Sequence, residues 1–274
     1  MSPAASAPHA SISFRAGIGG EPIVTDVQPS AAHTFAPDRW GVTVVGSAAH
    51  PEGGDHLRLS VEVGVGCAAE VRSAAATLAR VGSRRPHWAG PAGSSMDVTA
   101  TVASDALLTW RPEPGVATEG CSHQQNATIE MAGSARLVWR DEFLIDQRGV
   151  PRPGTWASRI RIDRGGWPTF CSELAVGPGS LLWESPAVLE GARVVSQIVI
   201  VDPHHERGWK AARATEGSAS GAALPLAGPG VHLLAWGDDL LECRATLRHL
   251  VNAGGVPSWA AERWHSSPVV RPPG

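Results

Sequence analysis

The chain has 274 residues, a formal net charge of −3 and a pI near 6.4, with 43% hydrophobic and 18% charged residues. That length allows one large domain or two small ones with a substantial core. The mild acidity and the lack of clustered basic residues exclude a nucleic-acid footprint. Lys210 is the only lysine, and 11 Trp stand beside no Tyr, which with the many Ala, Gly and Pro residues reads as the coding bias of a GC-rich genome. The four cysteines, Cys67, Cys121, Cys171 and Cys243, form no C-x-x-C pair. Neither a basic-then-apolar leader nor a long apolar run is visible, so the expectation is a cytosolic protein with free thiols and no membrane span.

In chain order, residues 1–10 are rich in Ala, Ser and Pro and read as a disordered terminus. Gly17 to Gly20 is a glycine cluster with no strand-then-helix context and reads as a plain turn. His56–Val63 alternates Leu57, Leu59, Val61 and Val63 with polar residues, the mark of a half-buried strand. Ala68–Val81 fits either a helix or a pair of strands. Alternation recurs at Asp97–Val102, Ala127–Met131, Arg136–Trp139 and Ser158–Asp163, and the runs Val194–Val201 and Val231–Trp236 read as more fully buried strands.

Gly, Pro and Asp punctuate these runs. A helix over about 239–252 follows, with Asp238 or Asp239 as N-cap, Leu240, Leu241, Leu247, Leu250 and Val251 at helical spacing, and Gly254 at its end. The Pro-rich tail 266–274 reads as frayed. The pattern predicts a mainly β fold of stacked antiparallel or mixed sheets, sandwich- or solenoid-like, in one domain over 11–265 with a few helices. No repeat of fixed period is visible.

Few constellations of catalytic chemistry are present. There is no phosphate-cradling G-x-x-x-x-G-K-[ST], no G-x-S-x-G and no H-E-x-x-H. Cys121 and His123 share a C-x-H spacing that puts both side chains on one strand face, and a borderline metal accepts both ligand types. With an acid they would make a metal- or cysteine-dependent hydrolase, the rival reading for this chain. His204–His205 are adjacent, and only in a loop could both face one ion.

Asp141–Glu142 lies between two apolar stretches, so alternation turns one carboxylate inward. There an arginine, Arg140 or Arg148, is the plain partner, and a polar cavity or ion path the functional one. Trp110, Trp139, Trp183 and Trp236 fall in strand-like runs and read as core. Trp259 and Trp264, in a polar stretch, read as exposed anchors for a partner.

The run Gly53–Gly54–Asp55–His56–Leu57–Arg58–Leu59, with Val61, Val63 and Gly66 after it, resembles the G-G-D-x-L-x-L-x-V-x-V pattern of the UreD (UreH) urease accessory proteins. Ser73 to Thr77 stands where that family has T-T-Q-A-A-T. Further matches follow in family order at Trp110 to Pro114, at Ala135 to Trp139 with Glu142 and Arg148, at Ser158 to Ile162, and at Gly166 to Pro168. The likeness covers about residues 40–185. The departures, Ser73–Ala74–Ala75 for T-T-Q, Gly115–Val116–Ala117 for I-P-F and Gln147–Arg148 for G-R, suggest a divergent member, as from an actinobacterium.

The resemblance implies a β-rich fold of stacked sheets and a non-catalytic scaffold acting with UreF and the GTPase UreG. Together they load nickel into the urease apoprotein, in an assembly that can dimerise through UreF. It also implies an internal route for nickel in transit, with no tightly bound cofactor, lined by hard oxygen donors. The matching positions here are Asp55, Glu142 and Ser73. A purely structural adaptor with no metal path is the remaining reading, and it differs in whether Asp55 and Glu142 face one channel.

Overall fold

The protein is described from a computed structural model, covering residues 9–46, 51–82, 93–145, 152–178, 180, 183–205 and 208–265. The first strands are β1 (His9–Ala16), β2 (Pro22–Gln28), β3 (His33–Asp38), β4 (Gly41–Gly46), β5 (His56–Val63) and β6 (Ala68–Ser73). The short β7 (Thr77–Ala79) precedes β8 (Ser94–Val102) and β9 (Leu107–Arg111), and the equally short β10 (Gly115–Ala117) precedes β11 (Ser122–Met131) and β12 (Arg136–Ile145). Then come β13 (Thr155–Arg164), β14 (Trp167–Val176), β15 (Val194–Val201), β16 (Ala212–Glu216), β17 (Ala219–Pro225) and β18 (Gly230–Gly237). Helices α1 (Leu240–Ala253) and α2 (Ser258–His265) close the described chain.

The strands form two sheets. One has seven strands in the order β14-β13-β11-β8-β5-β1-β2, and the other has 11, with β16-β17-β18-β15-β12-β9-β6-β4-β3 as its main path. In the first sheet β1, β5, β8, β11 and β13 run parallel, and in the second β4, β6, β9 and β12 do. Because β5, β8, β11 and β13 alternate along the chain with β6, β9 and β12, the chain winds from one sheet to the other and back, as a short two-layered coil. The coil strands of the first sheet begin at residues 56, 94, 122 and 155. Their uneven spacing is why no fixed period shows in the sequence.

Alternation puts one side of each coil strand into the space between the sheets. Ile12, Val61, Ala100, Ile129 and Ile162 are register partners and form one inward row. Val42, Val71, Trp110, Trp139 and Val199 form a row on the facing sheet, with the indoles of Trp110 and Trp139 stacked at 4.7 Å. Both rows belong to one buried cluster. A second core lies on the outer face of the larger sheet, where α1 lays Leu247, Leu250 and Val251 against Ile198, Ile200 and Leu233. Asp239 caps this helix by accepting from the amides of Leu241 and Glu242, and Gly254 ends it, as its sequence predicts.

Of the two readings open for Ala68–Val81 the chain takes the strands, β6 and β7, because Ala69 and Val71 alternate into the core and outweigh the helix propensity of Ala and Arg. Three expectations are corrected. β1 begins at His9, two residues inside the segment assigned to the terminus; residues 1–8 and the tail 266–274 lie outside the described residues. Trp183 is buried, but Trp236 only partly so. Trp259 and Trp264 are not exposed anchors: they sit on α2, which packs on β9 and β12, and Trp264 is 3% exposed. Trp259 is half-buried, donates from its indole N–H to Asp202 at 2.9 Å and lies under the Arg136 guanidinium. The polarity of that segment comes from the outer side of an amphipathic helix.

Candidate functional site

β12 lies inside the larger sheet and is covered on both faces, by the facing sheet on one side and by α1 and α2 on the other. Successive side chains on a strand point to opposite faces, so Asp141 and Glu142 are both buried, at 2% and 3% exposure, in different surroundings. One carboxylate, Asp141, faces the space between the sheets as the alternation predicts; the other is buried as well, because α1 covers the opposite face.

Glu142 faces α1. Arg244 on that helix grips it with two nitrogens, Nε at 3.0 Å from Oε1 and Nη2 at 2.6 Å from Oε2, and Ser196 Oγ donates to it at 3.1 Å. The expected Arg140 is a weaker partner, its Nε 3.6 Å away. Arg148 lies outside the described residues. Hydrogen bonding and charge from Glu142 raise the Arg244 guanidinium above its ordinary value, against the opposing effect of its burial.

Asp141 faces the space between the sheets. It accepts from Ser158 Oγ, from Gln197 Nε2 at 3.1 Å and from Gln125 Nε2 at 3.3 Å, all of them neutral donors. Burial pushes its carboxyl up to about 6, the hydrogen bonds from Ser158 and Gln197 oppose that, and the charge of Glu142 adds to it. Beyond Gln197, its Oε1 accepts from His232 Nε2 at 3.1 Å. Burial pushes His232 down to about 4, so this imidazole is neutral near pH 7.

A cavity of about 350 Å³ lies between the sheets beside Asp141. Leu57, Leu59, Met96, Val71 and Trp110 give it apolar walls, and Gln125 and Asp141 a polar floor. It opens beside Val45 and Leu78, which line it and are both exposed.

Of the three positions taken from the family pattern, the cavity brings two together. Ser73 lines it, donating to the Ala75 carbonyl at 2.9 Å and accepting from the Glu113 amide at 2.8 Å, and Glu142 lines it too. Asp55 is not on its lining. Its carboxylate accepts from the Glu52 amide at 2.8 Å and shapes the turn into β5, while Gly54, at φ +99°, takes a left-handed conformation that suits glycine. The Gly–Gly–Asp motif is thus a turn builder.

The hydrolase reading finds little support in this geometry. Cys121 is buried and its thiol is pushed up by burial, the reverse of an activated nucleophile. His123 is pushed down to about 4, meets Ser94 Oγ at 2.8 Å and packs against Trp156. Among the described residues no group of three or more His, Cys, Asp or Glu could hold a metal ion. His205 meets the Gly255 carbonyl at 3.0 Å, while His204 is exposed. Gln125, Ser158, Gln197, His232 and Arg244 were not singled out in the sequence. The best available signal was Ser196–Gln197 inside the otherwise apolar run Val194–Val201.

What the fold and site define is a two-layered β-coil protein with a polar-floored cavity and no assembled catalytic group among the described residues. A family model of the UreD urease accessory proteins matches residues 30–272. The chain is 34% identical to the urease accessory protein UreD of Parafrankia sp. EAN1pec, over 91% of this chain and 93% of that one. It is 36% identical to UreD of Frankia alni (78% and 74% covered) and 35% identical to UreD 2 of Saccharopolyspora erythraea (77% and 72%). The chain therefore belongs to the UreD family of urease accessory proteins. Among the described residues no helix is long and apolar enough to cross a membrane.

Proposed function

We propose that this chain is a non-catalytic cytoplasmic scaffold that binds the urease apoprotein and, with UreF and UreG, assists nickel insertion into the urease active site. Membership of the UreD family carries the reading, through a match that runs over residues 30–272. Two of the matching positions border the cavity between the sheets, Ser73 on its lining and Glu142 with its carboxylate turned to the other face of β12 and held by Arg244, and this proximity supports the reading. Hard oxygen donors of this kind suit a cation that must leave again. Asp55 belongs to this reading only as the residue that shapes the turn into β5. Nickel here is cargo in transit and not a resident cofactor.

The test is genetic. Deleting the gene in a urease-positive host should leave urease subunits at normal abundance but poor in nickel, by elemental analysis of the purified enzyme. Full nickel content and activity without the gene would overturn the reading. Co-purification with UreF, UreG and urease subunits tests the partners separately.

A further inference from the structure

The Asp141 carboxylate has no opposite charge to answer it. Its contacts are Ser158, Gln197 and Gln125, and no arginine, lysine or histidine pairs with it among the described residues. Other charged groups on the cavity lining are matched: Glu142 by Arg244, Glu113 by Arg140 and Arg244, and Arg72 by Asp38 and Glu70. Arg80 is engaged as well. A buried carboxylate without a cation is costly and invites one.

The walls say which kind of cation. Leu57, Met96, Gln125 and Ser158 are register partners on neighbouring strands, so one inward row passes from apolar to polar. With strands about 4.8 Å apart, the step from Leu57 to Gln125 covers about 10 Å. A small hydrated ion is poorly served there, because the apolar walls would strip its water and, among the described residues, no group of three or more acids, His or Cys forms a site. A cation on an apolar stem matches both parts of the cavity. Lysine and arginine side chains have that construction, and arginine adds a planar fork that meets a carboxylate with two hydrogen bonds.

We propose that the cavity receives an arginine side chain projected by a partner protein, its stem along Leu57, Met96 and Trp110 and its guanidinium against Asp141. The inference rests on the assembly reading only in taking the occupant from a partner. Since Ser73 lines the same cavity, the docked side chain and a metal ion in transit are alternative occupants of it.

The probe is n-butylguanidinium, set against the neutral planar isostere n-butylurea, titrated into the full chain at neutral pH and followed by calorimetry. Wild type should bind the guanidinium roughly tenfold or more tightly than the urea, and Asp141→Asn should erase that preference. Met96→Phe, which narrows the apolar wall and leaves the carboxylate in place, should weaken both probes. Equal affinity for the two probes, no binding of either, a preference kept by Asp141→Asn, or unchanged binding in Met96→Phe would each overturn the proposal. So would nickel(II) binding that depends on Asp141 in a chain that ignores the guanidinium. These outcomes are separable from the genetic test, since urease can be nickel-poor without the gene whether or not the probe binds.

Discussion

Asp141 and Glu142 are adjacent on β12 and equally buried, yet each is stabilised by different means. On the helix side, Glu142 meets Arg244 and Arg140 and is matched charge for charge. On the inner side, Asp141 meets only an alcohol and two amides and borders a cavity. The first arrangement pins α1 to the sheet. The second leaves a charged group waiting, and the difference arises from strand alternation alone. A carboxylate that is fully paired is a fastener, while one that is solvated only by neutral donors is available for something else.

The comparison is broken most severely on the helix side. Glu142→Gln leaves Arg244 and the buried Arg140 with only their longer contacts to Glu113, and the expected loss is up to about 3–5 kcal/mol, read from the midpoint of urea unfolding. Replacing both ends, Glu142→Met with Arg244→Met, should lose less than Glu142→Gln alone, because no unpaired charge is then left between those two positions. A double variant as unstable as the single one would show that the pair does not act as a unit.

How much of this was legible in the sequence depends on which partners are local. The alternation in His56–Val63 and the cap-to-glycine frame of α1 are local signals, and both elements form as read. The stacking of coils was partly legible, as sheets without a period, because the loops between the coil strands differ in length. The acid pair was visible, but its environment was not. Arg244 reaches Glu142 from 102 residues away, and Gln197 reaches Asp141 from 56. Trp259 and Trp264 misled because their neighbours are polar, and only the packing of α2 on β9 and β12 half-buries the first and buries the second. β1 to β4 were not read as strands; β2 and β3 are edge strands with little apolar alternation, so their pattern is weak.

On the inner side the effect is smaller and has a distinctive pH dependence. Asp141 is raised from 3.8 to about 6, so the folded state holds its proton more tightly than the unfolded chain does. Its contribution is fully present below pH 3.8 and is lost as pH rises through about 6. Asp141→Asn removes this term. Relative to wild type, the variant should gain stability as pH rises across that window, by about 1–3 kcal/mol, measured as the difference between two urea-unfolding series. Indistinguishable pH profiles would mean that Asp141 is already charge-matched in solution.

At neutral pH the smallest effect is expected at the far end of the same chain of hydrogen bonds, and its pH dependence has the opposite sign. His232 is lowered from 6.5 to about 4 by burial, so its contribution is present above pH 6.5 and is lost as pH falls toward 4. His232→Gln keeps a donor for the Gln197 oxygen and removes the titration. At neutral pH the variant should lie within about 1 kcal/mol of wild type, since one hydrogen bond replaces another. In acid it should outlast wild type, because it no longer has to hold a neutral imidazole against protonation. His123, lowered to about 4 by burial on β11, is the control. It contributes the same acid-side loss but donates nothing to Gln197, so a substitution there should shift acid unfolding and leave Asp141 as it was. If His232→Gln also moves the Asp141 titration, followed by carboxyl carbon NMR, while the His123 variant does not, then Gln197 transmits the change between β18 and β12. If neither variant moves it, the Asp141 floor stands on Ser158 and Gln125, and the difference between the two faces of β12 is set at the cavity alone.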